Sequence, residues 1–345
     1  MLYIVISFSA FALAYFLTGG LRRWIGQRLL DIPNARSSHT RPTPRGGGLA
    51  VVAVALGGSW FVLPFMPAGI NAQQWLIFTL GALLIAGVSW LDDLRSLSTV
   101  VRFAVHLAAA ILACFAFGVW DTAILPALGC FKLGLWGWLL TLLWIVGLTN
   151  AYNFMDGIDG IAGSQAVMAG LGWTIAGIML PHPFLSAFGL LLAASNLGFL
   201  GHNWPPAKIF MGDVGSAFLG FSFAALPLMA GQQDPRCMLI GVLFVWPFVF
   251  DAAFTFLRRL INRENVLAAH RSHLYQRLVI TGLSHQAVTL LYAGLAATGV
   301  LSGAAYIAHP EKNLVLALTA AAICAGGLPA LTFWRERRLR RGEKT

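Results

Sequence analysis

Residues 161–204 read IAGSQAVMAGLGWTIAGIMLPHPFLSAFGLLLAASNLGFLGHNW and contain no Lys, Arg, Asp or Glu. An uncharged apolar run of about eighteen residues is long enough to cross a hydrocarbon core about 30 Å thick. This stretch holds two such runs, beginning near Ile161 and Pro183. The pattern recurs outward in both directions, with further spans beginning near Leu2, Gly48, Gln73, Val101, Leu133, Ser216, Cys237, Gln286 and Asn313. Over the whole 345 residues, 58% hydrophobic and 10% charged excludes a long water-soluble enzyme. Lipid offers no partner to a backbone N–H or C=O, so each span is expected to be a helix. The expected fold class is all-α, a polytopic integral membrane protein of about 11 transmembrane helices. A single transmembrane domain would occupy 1–334, with a basic tail over 335–345.

The connectors set the expected orientation. With the N-terminus outside, twenty of the twenty-three Lys and Arg fall on the inner side, leaving Lys132, Arg236 and Lys312 outside. That is the bias of a positive-inside protein, with the N-terminus outside and the C-terminus cytoplasmic. The net charge of +10 therefore reads as topology and contact with anionic lipids, not nucleic acid. The first span lacks a basic leader and a small-residue cleavage site, so it reads as a retained helix. Cys114, Cys130, Cys237 and Cys324 have no metal-type spacing and argue against a disulfide scaffold. Residues 119–136 interrupt the apolar pattern, as a surface loop or a shallow re-entrant piece.

Acids are costly near hydrocarbon, and seven of the thirteen gather at four inward-facing span ends: Asp92, Asp93, Asp156, Asp159, Asp213, Asp251 and Glu264. Asp92 and Asp93 close the third span. Adjacent helical carboxylates point about 100° apart, so they suit two tasks, or else simply mark a helix end beside Arg95. The segment NAYNFMDGIDG spans Asn150 to Gly160; its Asn150/Asn153 and Asp156/Asp159 spacings would align each pair on a face if the segment is helical. Its glycines also permit a turn that approaches a phosphate or ribose. In KIFMGDVGS, Lys208 to Ser216, Asp213 offers a hard oxygen to magnesium and Lys208 a charge to phosphate, unless Asp213 and Ser216 only cap the next helix.

Two basic connectors complete the inner side. His270 and His273 have a metal-compatible spacing, but with Arg271 and Arg277 beside them a polyanion is the better match; a loop held by anionic lipid is the plainer alternative. The stretch 31–48, DIPNARSSHTRPTPRGGG, is either a phosphate-binding or site-closing loop or a topological connector. Carboxylates, amides, glycines and cations at one membrane face make sense together around phosphoryl transfer between a soluble donor and a lipid acceptor.

NAYNFMDGIDG and FMGDVGS, with Asp92-Asp93 upstream, resemble the polyprenyl-phosphate N-acetylhexosamine-1-phosphate transferases (glycosyltransferase family 4) over essentially the full membrane core. PNARSSHTRPTPRGGG and AHRSHLYQR are similar to the O-antigen-initiating branch that uses UDP-FucNAc, UDP-QuiNAc or UDP-GlcNAc. The resemblance implies Mg2+, with Mn2+ as a substitute, and attack by undecaprenyl phosphate on a UDP-N-acetylhexosamine or a 6-deoxy variant. UMP is released and undecaprenyl-diphosphate-sugar is formed at the cytoplasmic face of a bacterial inner membrane, which makes the outer side, with the N-terminus, periplasmic. It implies Asp213 as magnesium ligand, with Asp92 a second candidate ligand that also contacts the lipid phosphate. Asp93, Asp156 and Asp159 join the catalytic group, while Asn150, Asn153, Lys208, His270, Arg271 and His273 bind substrate. A homodimer is one open arrangement. The sequence departs from the muramoyl-pentapeptide and common-antigen branches at His273-Leu274-Tyr275-Gln276, where those carry an HxHH-like loop, and at Arg95, where a lysine is usual. A secondary transporter with broken helices is the alternative, and would take up substrate without releasing UMP.

Overall fold

The charge-free stretch 161–204 forms a pair of helices whose backbones nearly touch. A Cβ built on Gly170 would lie 2.7 Å from the Gly189 carbonyl oxygen, and one on Gly189 would lie 2.8 Å from that of Gly170. Lipid supplies no hydrophobic drive between helices, so close backbone approach at small residues is how such a pair gains its packing. The computed structural model describes residues 1–26, 29–33, 41–66, 69–125, 129–266 and 270–342. Residues 34–40, the centre of the first inner connector, and Ala269 of the AHRSHLYQR segment lie outside the described residues.

From the N-terminus the elements are α1 (Leu2–Ile25), β1 (Leu30–Asp31), β2 (Thr43–Pro44), α2 (Gly48–Val62), α3 (Ala72–Arg95) and α4 (Thr99–Phe117). Next come β3 (Thr122–Leu125), β4 (Gly129–Lys132), α5 (Leu135–Phe154), α6 (Ile161–Met179), α7 (Pro183–Asn203) and α8 (Asp213–Gly231). The chain closes with α9 (Cys237–Phe244), α10 (Trp246–Ile261), α11 (Leu274–Ile280), α12 (His285–Ala308) and α13 (Pro310–Arg340). Among the described residues ten helices are long and apolar enough to cross a membrane, and α9 with α10, bent by 76°, is an eleventh if the pair is one span. The expected all-α polytopic class holds, and the expected span starts fall within three residues of the observed helix starts.

The break between α9 and α10 has a local cause. Pro247 has no N–H to continue the ladder, so α10 restarts with Phe248 and Val249 donating to Val245 O. The region 119–136 is neither plain loop nor re-entrant helix: β3 and β4 pair antiparallel, Thr122 opposite Lys132 and Leu125 opposite Gly129. Four residues on each side let the backbone satisfy itself where the chain leaves the bundle.

α8 is buried along nearly its whole length, and α3, α5, α2 and α4 pack around it. Trp75 and Phe78 on α3 stack on each other, Phe78 also stacks on Phe221 of α8, and the pair meets Phe184 and Phe188 of α7 edge to face. α1 and α13 lie at the periphery. α13 continues through residue 335 without a break, so the basic tail begins inside a helix. Arg335 donates to the hydroxyl and carbonyl of Thr281, and Glu336 pairs with Arg277, so this end of α13 docks on α11 rather than lying only against lipid.

Candidate active site

The site forms where the N-terminus of α8 meets the ends of α3 and α5. Two short segments clasp to place it. Gly46 and Gly47 N–H donate to Phe210 O, Gly48 N–H donates to Met211 O, and Phe210 N–H donates to Pro44 O. Gly48 and Gly215 then meet so closely that a Cβ on either would fall within 2.6 Å of the other's Cα. The glycines of the first connector and of FMGDVGS are therefore spent on packing chain against chain. Gly157 behaves the same way: its Cβ would lie 2.1 Å from the Tyr275 hydroxyl. At Gly48, Gly157 and Gly215 alike, the missing side chain lets chain pack against chain.

Asp92 and Asp93 diverge as two neighbours on a helix must. Asp92 Oδ1 accepts from Leu97 N–H at 2.5 Å and Oδ2 accepts from Arg102 at 2.8 Å. Asp93, 2% exposed, accepts from Val214 N–H at 3.3 Å at the start of α8 and lies 3.6 Å from the Arg45 guanidinium, which also donates to the Asp93 carbonyl. Their ionic partners are thus Arg102 and Arg45. Arg102 reaches on to Asp213 at 3.9 Å, so one guanidinium bridges the third and eighth helices. Asp213 opens α8 as its first residue and makes no side-chain cap, and Ser216 Oγ donates to Gly212 O.

The two amides of α5 separate. Asn153 donates to Ser216 Oγ at 3.3 Å beside Asp213, whereas Asn150 donates to Val146 O at 2.7 Å and faces His106 at 3.3 Å. α5 ends at Phe154, so Asp156 and Asp159 lie in a turn and are not aligned on a helix face. Asp156 is half-buried, and its carboxyl is pushed well above the usual range by burial and then by the negative charges of Asp213, Asp93 and Asp159. Asp159 is held differently: it accepts from Ala207 N–H at 3.0 Å, sits 3.4 Å from His285 Nδ1, and its carbonyl accepts from Thr289 at 2.9 Å. Lys208 is exposed next to this turn, its N–H on His202 O.

The histidine loop joins the same site through α11. Tyr275 Oη donates to Phe154 O at 3.0 Å, seating α11 against the end of α5. The rings of His270 and His273 are 5.1 Å apart. His270 Nδ1 is 2.9 Å from Ser272 Oγ, and burial, with His273 and Arg259 nearby, brings its pKa down to about 4, leaving a neutral ring at neutral pH. Arg271 is half-buried in the same loop. Arg277, taken from sequence as a polyanion ligand, instead forms a paired contact with Glu336 and stacks over Phe333. Beneath the loop, an apolar groove of about 390 Å³ runs between α5 and α10. Leu143, Trp144 and Phe256 line it, and Asn150, Arg259, His270 and His273 are the polar residues of its lining.

Three residues of this architecture were given no role in the sequence reading. Arg102 stands near the start of an apolar span, where a charge is costly enough to be a signal by itself. Asn203 accepts from Gly160 N–H and donates to Ile209 O, tying both motif loops together, and Tyr275 joins the histidine loop to α5. Neither has a signature in one sequence. Three carboxylates, Asp92, Asp93 and Asp213, meet two guanidiniums, and Asp156 lies close enough to feel the charge of Asp213 and Asp93, a donor set of hard oxygens with charge to spare. Among the described residues no three His, Cys, Asp or Glu side chains close on one point to hold a metal. Such a set fits a small hard cation that takes one or two carboxylates and completes its shell with water and substrate phosphate.

The chain is similar to a known family and to several named proteins. The model of glycosyl transferase family 4 matches residues 75–231, from α3 to the end of α8. A Bacillus subtilis protein named probable undecaprenyl-phosphate N-acetylglucosaminyl 1-phosphate transferase is 36% identical over 268 residues, 76% of this chain and 73% of its own. The decaprenyl-phosphate N-acetylglucosaminephosphotransferase of Mycobacterium leprae is 31% identical over 333 residues, 86% of this chain and 83% of its own. A phospho-N-acetylmuramoyl-pentapeptide-transferase of Synechococcus sp. is 34% identical over 229 residues, 61% of this chain and 63% of its own. With the acids of α3, the α5–α6 turn and α8 drawn to one end of a helical membrane bundle, the chain belongs to glycosyl transferase family 4, in the superfamily of polyprenyl-phosphate N-acetylhexosamine-1-phosphate transferases.

Proposed function

We propose that this chain transfers an N-acetylhexosamine-1-phosphate group from a UDP-sugar to undecaprenyl phosphate, releasing UMP and starting an O-antigen or related envelope polysaccharide. The observation that carries the reading is that one helix end, that of α5, serves both an acidic, cation-ready site, where Asn153 reaches Ser216 beside Asp213, and an apolar groove, which Asn150 lines with Arg259, His270 and His273. A soluble diphosphate suits the first and a prenyl chain the second. The acid-bearing end of the bundle is proposed to face the cytoplasm of a bacterial inner membrane, where nucleotide sugars are made.

Asp213 and Asp92 are the proposed magnesium ligands, with Asp156 close behind. Bound there, Mg2+ or Mn2+ would neutralise the diphosphate oxygens as charge builds on the leaving UMP. A phosphate monoester is already largely ionised at neutral pH, so the acceptor attacks without needing a general base. Asp92 and Arg102 orient it, and Asp93 fixes Arg45 and the start of α8. Asn153 faces the donor beside Ser216, while Asp159 holds the turn that carries Asp156. Lys208, His270, Arg271 and His273 supply donors to phosphate oxygens, and Asn150 stands at the mouth of the groove. The basic end of α13 suits anionic lipids, and a homodimer is compatible with the bundle.

The names of the relatives make UDP-GlcNAc the first donor to try, followed by UDP-QuiNAc and UDP-FucNAc. Purified protein with undecaprenyl phosphate and Mg2+ should release UMP only when lipid is present. Asp213→Asn should lower that release by about a hundredfold or more, the scale of losing a charge-stabilising group at a phosphoryl centre. Uptake of a nucleotide sugar into vesicles without UMP release would turn the assignment toward transport.

A further inference from the structure

Behind the histidine loop lies a carboxylate to which the transfer chemistry assigns no task. Asp251 stands on α10 beyond the bend at Val245 and is fully buried. Five donors face its two oxygens. Oδ1 is 2.8 Å from Leu274 N, 3.1 Å from Thr255 Oγ1 and 3.3 Å from His273 Nδ1. Oδ2 is 2.6 Å from Tyr292 Oη and 3.0 Å from Tyr275 N. A helix start needs only a neutral cap from a residue at its own N-terminus, which costs little. Here, besides the Gln276 side chain on the His273 N–H, the first two N–H groups of α11 are held by a carboxylate from a distant helix, enclosed at a large desolvation cost, and one of its oxygens also takes the imidazole.

We infer that Asp251 is the positioning residue for His273, setting its ring orientation and its tautomer for the phosphate end of the groove. The inference rests on the transfer reaction proposed above. A carboxylate oxygen offers only lone pairs, so the nitrogen facing it carries the proton. Nδ1 is therefore committed to Asp251, and Nε2 is the ring atom left for a ligand. His273 is 5% exposed and lines the groove beside His270, so that orientation decides what a phosphate oxygen meets. In catalytic triads a buried aspartate holds an imidazole in the same way without itself becoming protonated. Thr255, Tyr275 and Tyr292 brace the carboxylate from α10, α11 and α12. Asparagine cannot stand in. Its amide NH2 would oppose Leu274 N–H on one side or Tyr275 N–H on the other.

The test is a double-mutant cycle on the full-length chain, reading kcat and KM for UMP release alongside thermal unfolding. Asp251→Asn should lower kcat/KM by about tenfold or more in the wild-type background, and by less than about twofold in His273→Ala, because its effect passes through the ring. A purely structural role would cost the same factor in both backgrounds, and that additivity would overturn the inference. Should Asp251→Asn fail to fold, Tyr292→Phe replaces it in the cycle, trimming one donor from Oδ2 while leaving both backbone N–H groups. If wild-type protein releases no UMP with any donor, the transfer reading fails by itself. The cycle is then run on the stabilisation that UMP gives against heat, where additivity again counts against Asp251.

Discussion

Asp156 carries the least compensated charge of the site. Burial and three neighbouring acids favour its protonated form in the folded chain, whereas an unfolded chain ionises it in the ordinary carboxylate range. The unfolded state therefore releases this proton first as pH rises. Stability from the protonated carboxyl is complete in acid and is lost as pH climbs through the raised pKa. Asp156→Asn removes the penalty while removing the charge that the reaction uses. Without divalent cations the variant should melt above wild type, by a margin wider near pH 8 than near pH 5.5, and it should be inactive. Equal margins at both pH values would show that the repulsion is already screened.

At the scale of elements, two contacts hold the site together from outside it. The α2–α8 contact at Gly48 and Gly215 leaves no room for a methyl group. Gly215→Ala should push these helices apart at a cost of about 1–3 kcal/mol and displace Asp213, lowering both melting temperature and activity. An unaltered kcat would mean that Asp213 is placed from α3 alone. The second contact is the docking of α13 on α11. Arg277 is buried while Glu336 is partly open to water, so Glu336→Gln strands a buried guanidinium at a cost of about 2 kcal/mol once solvent screening is allowed for. Melting temperature should fall, and the KM for donor should rise as the histidine loop loosens. An unchanged melt and KM would make α13 a bystander.

For the whole molecule, the decisive property is which way the bundle faces. Cys130 is exposed on the β3–β4 hairpin, while Cys114 and Cys237 are buried and Cys324 lies within α13, so one thiol reports for one end. A membrane-impermeant maleimide should label Cys130 in intact cells freed of their outer barrier, and a tag after residue 345 should stay protected until the membrane is broken. The opposite pattern would invert the proposed topology. The sequence alone determined the class and where the apolar helices start, because hydrocarbon tolerates neither stray charge nor unpaired backbone, and that constraint is written locally along the chain. It also pointed to the acids, since each stands at a span end where charge is expensive. Only the tertiary structure decided their partners: Asp92 with Arg102, Asp93 with Arg45, Asp159 with Ala207 and His285, and Arg277 with Glu336. Spacing within one segment cannot announce those contacts, because each joins residues brought together by helix packing, and the glycines that permit the packing look the same in sequence as glycines that admit a ligand.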